Sequence, residues 1–462
     1  MPLRNAPAVL VLAFLVIALS GPASARAQLF SPGAQGSSNV HVMSHIPTGG
    51  PFHANSIDVE QEMARPYVYV SKRKDAGMHI ISIKDPARAQ ILYTWNIENQ
   101  ALHQGRSLGA VDIKYFKTRN NRYYVALALQ FDQGGPDADL GAVIFDVTSL
   151  PDTTKVKEVG RIRAPDTPNG FHTVYSYKHS DGRVLLFTTT SGPHYNVYDM
   201  EKFLGHDPQQ GLISQIPLPQ DATQGMTRMG YHDTYVGYDP VTHQDRFYGA
   251  GAGGYYVFDV SHPEQPQLLT SVTGVAGMQR GHTFTPDPTG RYAVVESEYQ
   301  YAPLRIIDLK PGLDGTVKTI SRPIGAWTAR WNGLAHNTEV RWPYVFVSAY
   351  EDGIQIFNMM DPTNPYTVGF YHTYDGPTQI NKPNPMEPKA KPGEGDVDNG
   401  SFGIDVRNAD GLVVTADMYT GFWAVKMDGF DGWNGHQWGV PNVSSAQDWD
   451  NGPDGAPKGK VS

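Results

Sequence analysis

Four histidines, His172, His232, His282 and His336, fall at the same point of four consecutive copies of one repeated sequence unit, in the contexts FHTVYSY, YHDTYVG, GHTFTP and AHNTEV. A neutral imidazole presents a lone-pair nitrogen at neutral pH, and several imidazoles converging on one point make a good site for iron, copper or zinc. A second set lies close by: Arg106, Arg228, Arg280 and Arg330 each precede one of these positions or its equivalent by a few residues. Guanidinium forks suit carboxylates and phosphates, so these arginines are candidates for holding a small anionic ligand. Asp233 and Glu339 stand beside two of the histidines and are the candidates for a general base. His53 lies two residues before the equivalent position of its own unit.

Each set also has a structural reading. A Gly-His pair before an inner strand, as at Gly281-His282, can tie the strands of its own unit together by hydrogen bonds. The arginines can pair with Asp112, Asp233, Glu296, Glu298 or Glu339, and those carboxylates could instead orient the histidines. The readings differ in geometry. Ligands share one point at metal distance, about 2.0–2.2 Å, whereas structural histidines bond within their own blades and share no cavity.

The elements that must position these groups are short strands. The unit is best formed at GYYVFDVSHPEQP (from Gly254), LRIIDLKPG (from Leu304) and GIQIFNMMDPTNP (from Gly353). Weaker copies begin at Gly77, Gly141, His194 and Gly421, which makes seven units. The equivalent first-strand positions are Asn55, Gly109, His172, His232, His282, His336 and Phe402, spaced by 50 to 66 residues. Such a period means stacked modules. The sixth unit reads as four alternating strands, HNTEVRW, PYVFVSAY, GIQIFNM and YTVGFYHTY, with no helix. Four antiparallel strands per unit are the blades of a propeller. The expected fold is therefore all-β, a seven-bladed β-propeller.

Fourth strands follow six of the units: Ile91–Asn99, Lys155–Ala164, Gly211–Pro219, Gln267–Val275, Val317–Trp327 and Tyr366–Tyr374. After Phe422–Met427 the chain runs FDGWNGHQWG, without alternation, while Asn39–Thr48 (NVHVMSHIPT) precedes the first unit as a spare strand. It is expected to complete the last blade and close the ring, removing an open edge. In a propeller the first strand of each blade is innermost, so the four histidines should lie at one height around the axis.

The strand-three sequences, above all YYVFDVSHPEQP, resemble the LVIVD-repeat propellers of exported bacterial proteins, whose unit reads roughly Leu-x-Ile-x-Asp-Val-Ser-Asp-Pro. The resemblance spans nearly the whole mature chain and implies architecture and compartment, but no activity. Asn358 in place of Asp, and the lack of Ser-Asp-Pro after Asp308, are departures of the kind expected between blades.

Export is also read from the N-terminus. Arg4, the apolar run Val9–Leu19 and Ala25-Arg26-Ala27 form a signal peptide over 1–27. A linker over 28–38, the propeller over 39–430 and a C-terminal tail over 431–462 follow. The apolar run is too short to span a bilayer, and no later segment reads as a transmembrane helix. With 0 cysteines, disulfides and lipoprotein anchoring are excluded. The expected location is periplasmic or secreted. The formal charge of -9 becomes −11 once Arg4 and Arg26 are removed, which disfavours nucleic acid. Gly 48, Pro 35, 11% aromatic and 18% charged residues fit a turn-rich β protein.

GxSxG, HExxH, phosphate-cradling and EF-hand motifs are missing, and GAGAGG at Gly249–Gly254 is a turn between two strands of one blade. Gln379–Asn399 should border the axial mouth, and the tail from Asp431, carrying Trp433, Trp438 and Trp449, either packs through its indoles or frays. The functional expectation is a monomer with a His/Arg-lined axial site. It would bind one transition metal (Fe, Cu or Zn) and/or a small anionic molecule, as a metal-dependent oxidoreductase or lyase. The competing class is a non-catalytic interaction scaffold for another envelope protein.

Overall fold

The computed structural model describes residues 34–103, 109–131, 136–219, 230–278, 280–374, 399–435 and 449–450. The signal-peptide expectation over 1–27 therefore lies outside the described residues.

Seven sheets of antiparallel strands follow one another around a ring. The inner strands are Ile57–Val59, Gly109–Lys117, Val174–Lys178, Tyr231–Asp239, Thr283–Pro286, Asn337–Arg341 and Ser401–Arg407 for blades one to seven. The fold is a seven-bladed β-propeller, as the repeats require. The second and third strands are buried on both faces, as in Tyr344–Ser348 and Ile354–Asn358, and each of these two carries Val, Ile or Phe at three of its five positions. Outer strands such as Lys157–Arg163 are half-exposed and mix charged with apolar residues. Tight turns lead into the third strands. At Gly353, φ is +67° and a Cβ would lie 2.3 Å from the Tyr371 carbonyl oxygen, so only glycine fits.

The N-terminal strand closes the ring. Val40–Ile46 pairs antiparallel with the last strand of blade seven, from Val40 opposite Met427 to Ile46 opposite Phe422. One outer strand departs from expectation. The segment expected as a single strand over Val317–Trp327 is split: Gly325–Trp327 stays on blade five, while Thr319–Ile320 pairs parallel with Ser271 and Val272 of blade four. Pro323 lies between the two parts and has no N–H for the ladder, which explains the break.

The tail packs where it is described. Trp433 is buried and donates its Nε1–H to the Trp342 carbonyl (2.9 Å), and Trp449 is buried against Tyr115 of blade two. Trp438 and residues 379–398 of the expected mouth loop fall outside the described residues.

Candidate functional site

The starts of the inner strands bring the four imidazoles side by side. Ring centroids are 4.4 Å apart for His172–His232, 4.0 Å for His232–His282 and 4.7 Å for His282–His336. Phe402 continues the arc on blade seven, 3.6 Å from His336. A small cavity of about 50 Å³ opens at this level and is lined by His172, His232, His336 and Phe402. Asp112, Lys114, Asp233 and Glu339 line it further along the inner strands.

Hydrogen bonds fix which nitrogen of each ring is free. His336 Nδ1 lies 2.8 Å from the Phe402 carbonyl and must donate to it, so Nε2 keeps the lone pair. His172 Nδ1 is 2.9 Å from Gln130 Oε1, which leaves its Nε2 free in the same way. The Thr283 hydroxyl donates to the His336 carbonyl (2.9 Å) and so accepts from His282 Nδ1, also at 2.9 Å. The His282 lone pair is then on Nε2. That atom is buried, has no hydrogen bond, and faces Glu298 Oε2 at 3.2 Å. His232 Nδ1 is likewise buried without a hydrogen bond, while Glu296 Oε2 lies 2.6 Å from His282 Nδ1.

A lone pair facing a carboxylate, beside a second orphaned imidazole nitrogen, is unfavourable unless a cation lies between them. One ligating atom each from His232, His282 and Glu298 lies within 4.8 Å of the others. Donors sharing a tetrahedral metal stand roughly 3.3–3.6 Å apart at ordinary bond lengths, so this set fits with small adjustments. The group sharing one point is thus two imidazoles and a carboxylate rather than four imidazoles. His172 and His336 flank it. His336 Nε2 is 4.0 Å from Glu298 Oε1.

Glu298 had no repeat signal pointing to it as a ligand. It sits in the loop after the second strand of blade five with φ +50°, and Tyr350, in the matching loop of blade six, has φ +43°. Tyr350 donates its hydroxyl to Glu298 Oε1 at 2.5 Å. Two adjacent non-glycine residues in left-handed conformations, bonded to each other at a cavity mouth, are strain of the sort that functional sites store.

The electrostatics favour neutral rings. Burial, reinforced by Arg73, Arg280 and His282, pushes His172 down to about 3. Burial lowers His282 to about 4, with Glu298 opposing and Arg280 adding to the shift. His232 and His336 are also held well below the usual range, chiefly by burial. All four rings are therefore neutral at neutral pH, each keeping one N–H and one lone pair, as ligation by imidazole requires. Burial pushes Asp233 up to about 7, and Asp112 adds to the shift.

The other expected site residues divide. The Arg280 charge helps to lower His172, His232 and His282, although Arg280 is not among the residues that line the cavity. Arg330 pairs with Asp352 (2.7 Å) and Glu351 (3.5 Å), which is the structural reading. Arg106 and Arg228 lie outside the described residues. Glu339 lines the cavity but is bonded to Arg341 at 2.9 Å. His53 is half-buried, and the charges acting on it are those of Lys72, Asp75 and Lys74 rather than of the imidazole arc.

Comparison with known proteins gives the fold alone. No protein-family model matches the chain, and no curated protein does. Raptor of Chaetomium thermophilum matches with a TM-score of 0.53 at 12% identity, over 84% of this chain and 29% of that one. The chain thus spans under a third of the Raptor chain. The WD40 β-propeller domain of Doa1 matches with a TM-score of 0.48 at 8% identity, over 86% of this chain and 100% of that domain.

Proposed function

We propose that this chain is an exported propeller of the LVIVD-repeat kind whose axial mouth binds one first-row transition metal, iron, copper or zinc. His232, His282 and Glu298 are the ligands, with His172 and His336 beside them. The single observation that carries the reading is the pair of orphaned imidazole nitrogens, His232 Nδ1 and His282 Nε2, buried next to the Glu298 carboxylate. A metal bound there would supply Lewis-acid or redox chemistry to a small molecule in the cavity. Asp233, adjacent to His232 and facing the same cavity, is the group assigned to proton transfer.

The test is metal analysis of untagged protein. The wild type should carry about one equivalent of metal, and His282→Ala and Glu298→Gln should lose it. His172→Gln and His336→Gln should keep the stoichiometry and weaken affinity by about 10–100-fold, as orienting neighbours of ligands do. Wild-type protein that holds no iron, copper or zinc after incubation with each would end the proposal.

A second reading rests on a different observation. Tyr299, Tyr301 and Trp331 are exposed on loops of blades five and six at the same mouth, with Trp331 74% exposed and its ring 5.1 Å from that of Tyr301. An aromatic rim of this kind suits an interaction scaffold for another envelope protein.

A further inference from the structure

The loops of blades five and six that carry the exposed aromatic residues also wall a second, smaller pocket. It holds about 10 Å³, and its lining includes Ala302, Leu304, Trp327, Arg330, Gly333 and Asp352. Ala302 follows Tyr301 and Arg330 precedes Trp331, so the stacked ring pair and the pocket are built from the same two loops. Asp352 is only 3% exposed. Its Oδ1 lies 2.7 Å from Arg330 Nε, but its Oδ2 is buried without a hydrogen bond. Gly333 leaves that oxygen its space, since a Cβ at 333 would come within 2.5 Å of Asp352 Oδ2. The ring pair carries strain of its own. Tyr301 has φ +64°, a left-handed conformation rare for a bulky residue, yet its side chain is 48% exposed. Backbone strain that burial does not offset is of the kind found at ligand clamps.

We propose that the Tyr301–Trp331 pair and this pocket bind one uncharged sugar ring of a glycan. The pocket sets the first contact. About 10 Å³ is room for one water-sized group such as a hydroxyl, and Asp352 Oδ2 is an acceptor that lacks a donor. Charge then narrows the ligand. The Arg330 guanidinium on Oδ1 repels a second cation at the same carboxylate. Glu351, 3.5 Å from Arg330, joins Asp352 in opposing an anion. An uncharged donor remains. A sugar ring carries hydroxyls side by side, one to donate to Asp352 and a neighbour to accept from the partly exposed Arg330. It also presents an apolar C–H face, which suits the exposed rings of Tyr301 and Trp331. A peptide would need a sheet edge or a longer aromatic-lined groove, whereas here one pocket adjoins one ring pair. The proposal gives the aromatic rim an occupant other than a protein, and it is independent of the proposed metal.

The experiment is saturation-transfer NMR on the purified full chain in EDTA, so that the result does not depend on whether the mouth binds metal. The probes are cellobiose, maltose, lactose and N,N′-diacetylchitobiose, with glucuronate, glucosamine and a proline-rich peptide beside them. At least one of the neutral disaccharides should receive saturation, strongest at the C–H protons of one ring. Trp331→Ala and Tyr301→Gly should each weaken its binding by about tenfold, as loss of a stacked aromatic contact does. Tyr301→Gly should at the same time keep or raise the melting temperature, because glycine takes the left-handed conformation without strain. A merely structural tyrosine would not separate the two readouts. Gly333→Ala should also weaken binding by about tenfold, by crowding Asp352 Oδ2. Tyr366→Ala, which removes an exposed ring on the outer strand of blade six, should change nothing. If Gly333→Ala fails to fold, the two ring variants decide, since both side chains are exposed. Saturation of none of the neutral sugars, or a charged sugar binding better than all of them, would overturn the proposal. So would neutral-sugar binding that is unchanged in both ring variants or in a folded Gly333→Ala. Saturation of the peptide alone would overturn it in favour of a protein partner.

Discussion

Two layers of the axial channel use neighbouring positions of the same inner strands and bond in opposite ways. In the deeper layer, carboxylates stitch one blade to the next. Asp58 accepts from the Tyr115 amide (2.7 Å), Asp112 from the Val174 amide (2.9 Å) and Asp405 from the Val59 amide (2.8 Å). Lys114 stands 3.7 Å from Asp58, and Arg341 bonds Glu339 at 2.9 Å. In the mouth layer the blades are joined by threonine hydroxyls instead, from Thr173 to the His232 carbonyl (3.0 Å) and from Thr283 to the His336 carbonyl (2.9 Å). The side chains of His232 and His282 are thereby released from structural duty and keep unsatisfied nitrogens. Unsatisfied buried groups call for an explanation, and a ligand held between these two rings and Glu298 supplies one. The deeper acids read as architecture and the imidazoles as a site.

Both layers depend on a closed ring, and opening it is the largest perturbation. Deleting residues 34–48 removes the strand Val40–Ile46 and exposes the whole edge of Gly421–Met427. Melting followed by circular dichroism should show the transition lowered and broadened, with metal binding lost. A truncated protein that melts like the parent would show that closure lies elsewhere, and the layers would then need another explanation for their alignment.

The next test separates the layers. Asp112 accepts from Ser56 Oγ (2.6 Å), the Ile113 amide (2.8 Å) and the Val174 amide (2.9 Å). Asp112→Ala orphans these buried donors, and at about 1–3 kcal/mol for each unsatisfied group the loss should be about 3 kcal/mol or more. Urea denaturation should register that loss while the folded variant keeps its metal. His282→Ala should do the reverse, with a small change in urea midpoint and loss of metal. If Asp112→Ala empties the site without destabilising the ring, the assignment of layers is inverted.

The blades and the alignment of the imidazoles were legible because both follow the repeat: one position per unit, counted back from the third strand, lands on His172, His232, His282 and His336. Glu298 was read as an acid that pairs with the arginines or orients the histidines, and not as a ligand, because it belongs to a different position, the loop two residues beyond the second strand. There the seven units share no residue type, and only the fold brings that loop over the inner strands. Arg330 failed for a local reason. Its acids, Glu351 and Asp352, arrive through the turn before Gly353, and sequence distance hid the pairing. The deeper acids could be seen in the sequence as acids. Their role as blade stitches could not, since it depends on which backbone amide lies opposite each one.

The smallest expected effect is a pH slope from the deeper layer. Burial first, then repulsion from Glu339, pushes Asp405 up to about 6, against the pull of Arg341 and Lys114. Its unfolded value is near about 3.9. Between these values the folded protein retains a proton that the unfolded chain releases. The stabilising contribution of the protonated acid is therefore fully present at low pH and is lost as pH rises through about 6. One group contributes a slope of at most about 1.4 kcal/mol per pH unit. Asp405→Asn cannot titrate, so its urea midpoint should fall less steeply, or rise more steeply, than the wild type's from pH 4 to 6.5. The comparison must be made on slope rather than level, because asparagine cannot accept from both the Val59 and Val406 amides as the carboxyl group does. Parallel pH profiles for the two proteins would mean that Asp405 is already ionised across this range. The deeper layer would then be a set of buried ion pairs rather than a partly protonated clamp, and its contrast with the neutral imidazoles would be one of charge as well as of bonding.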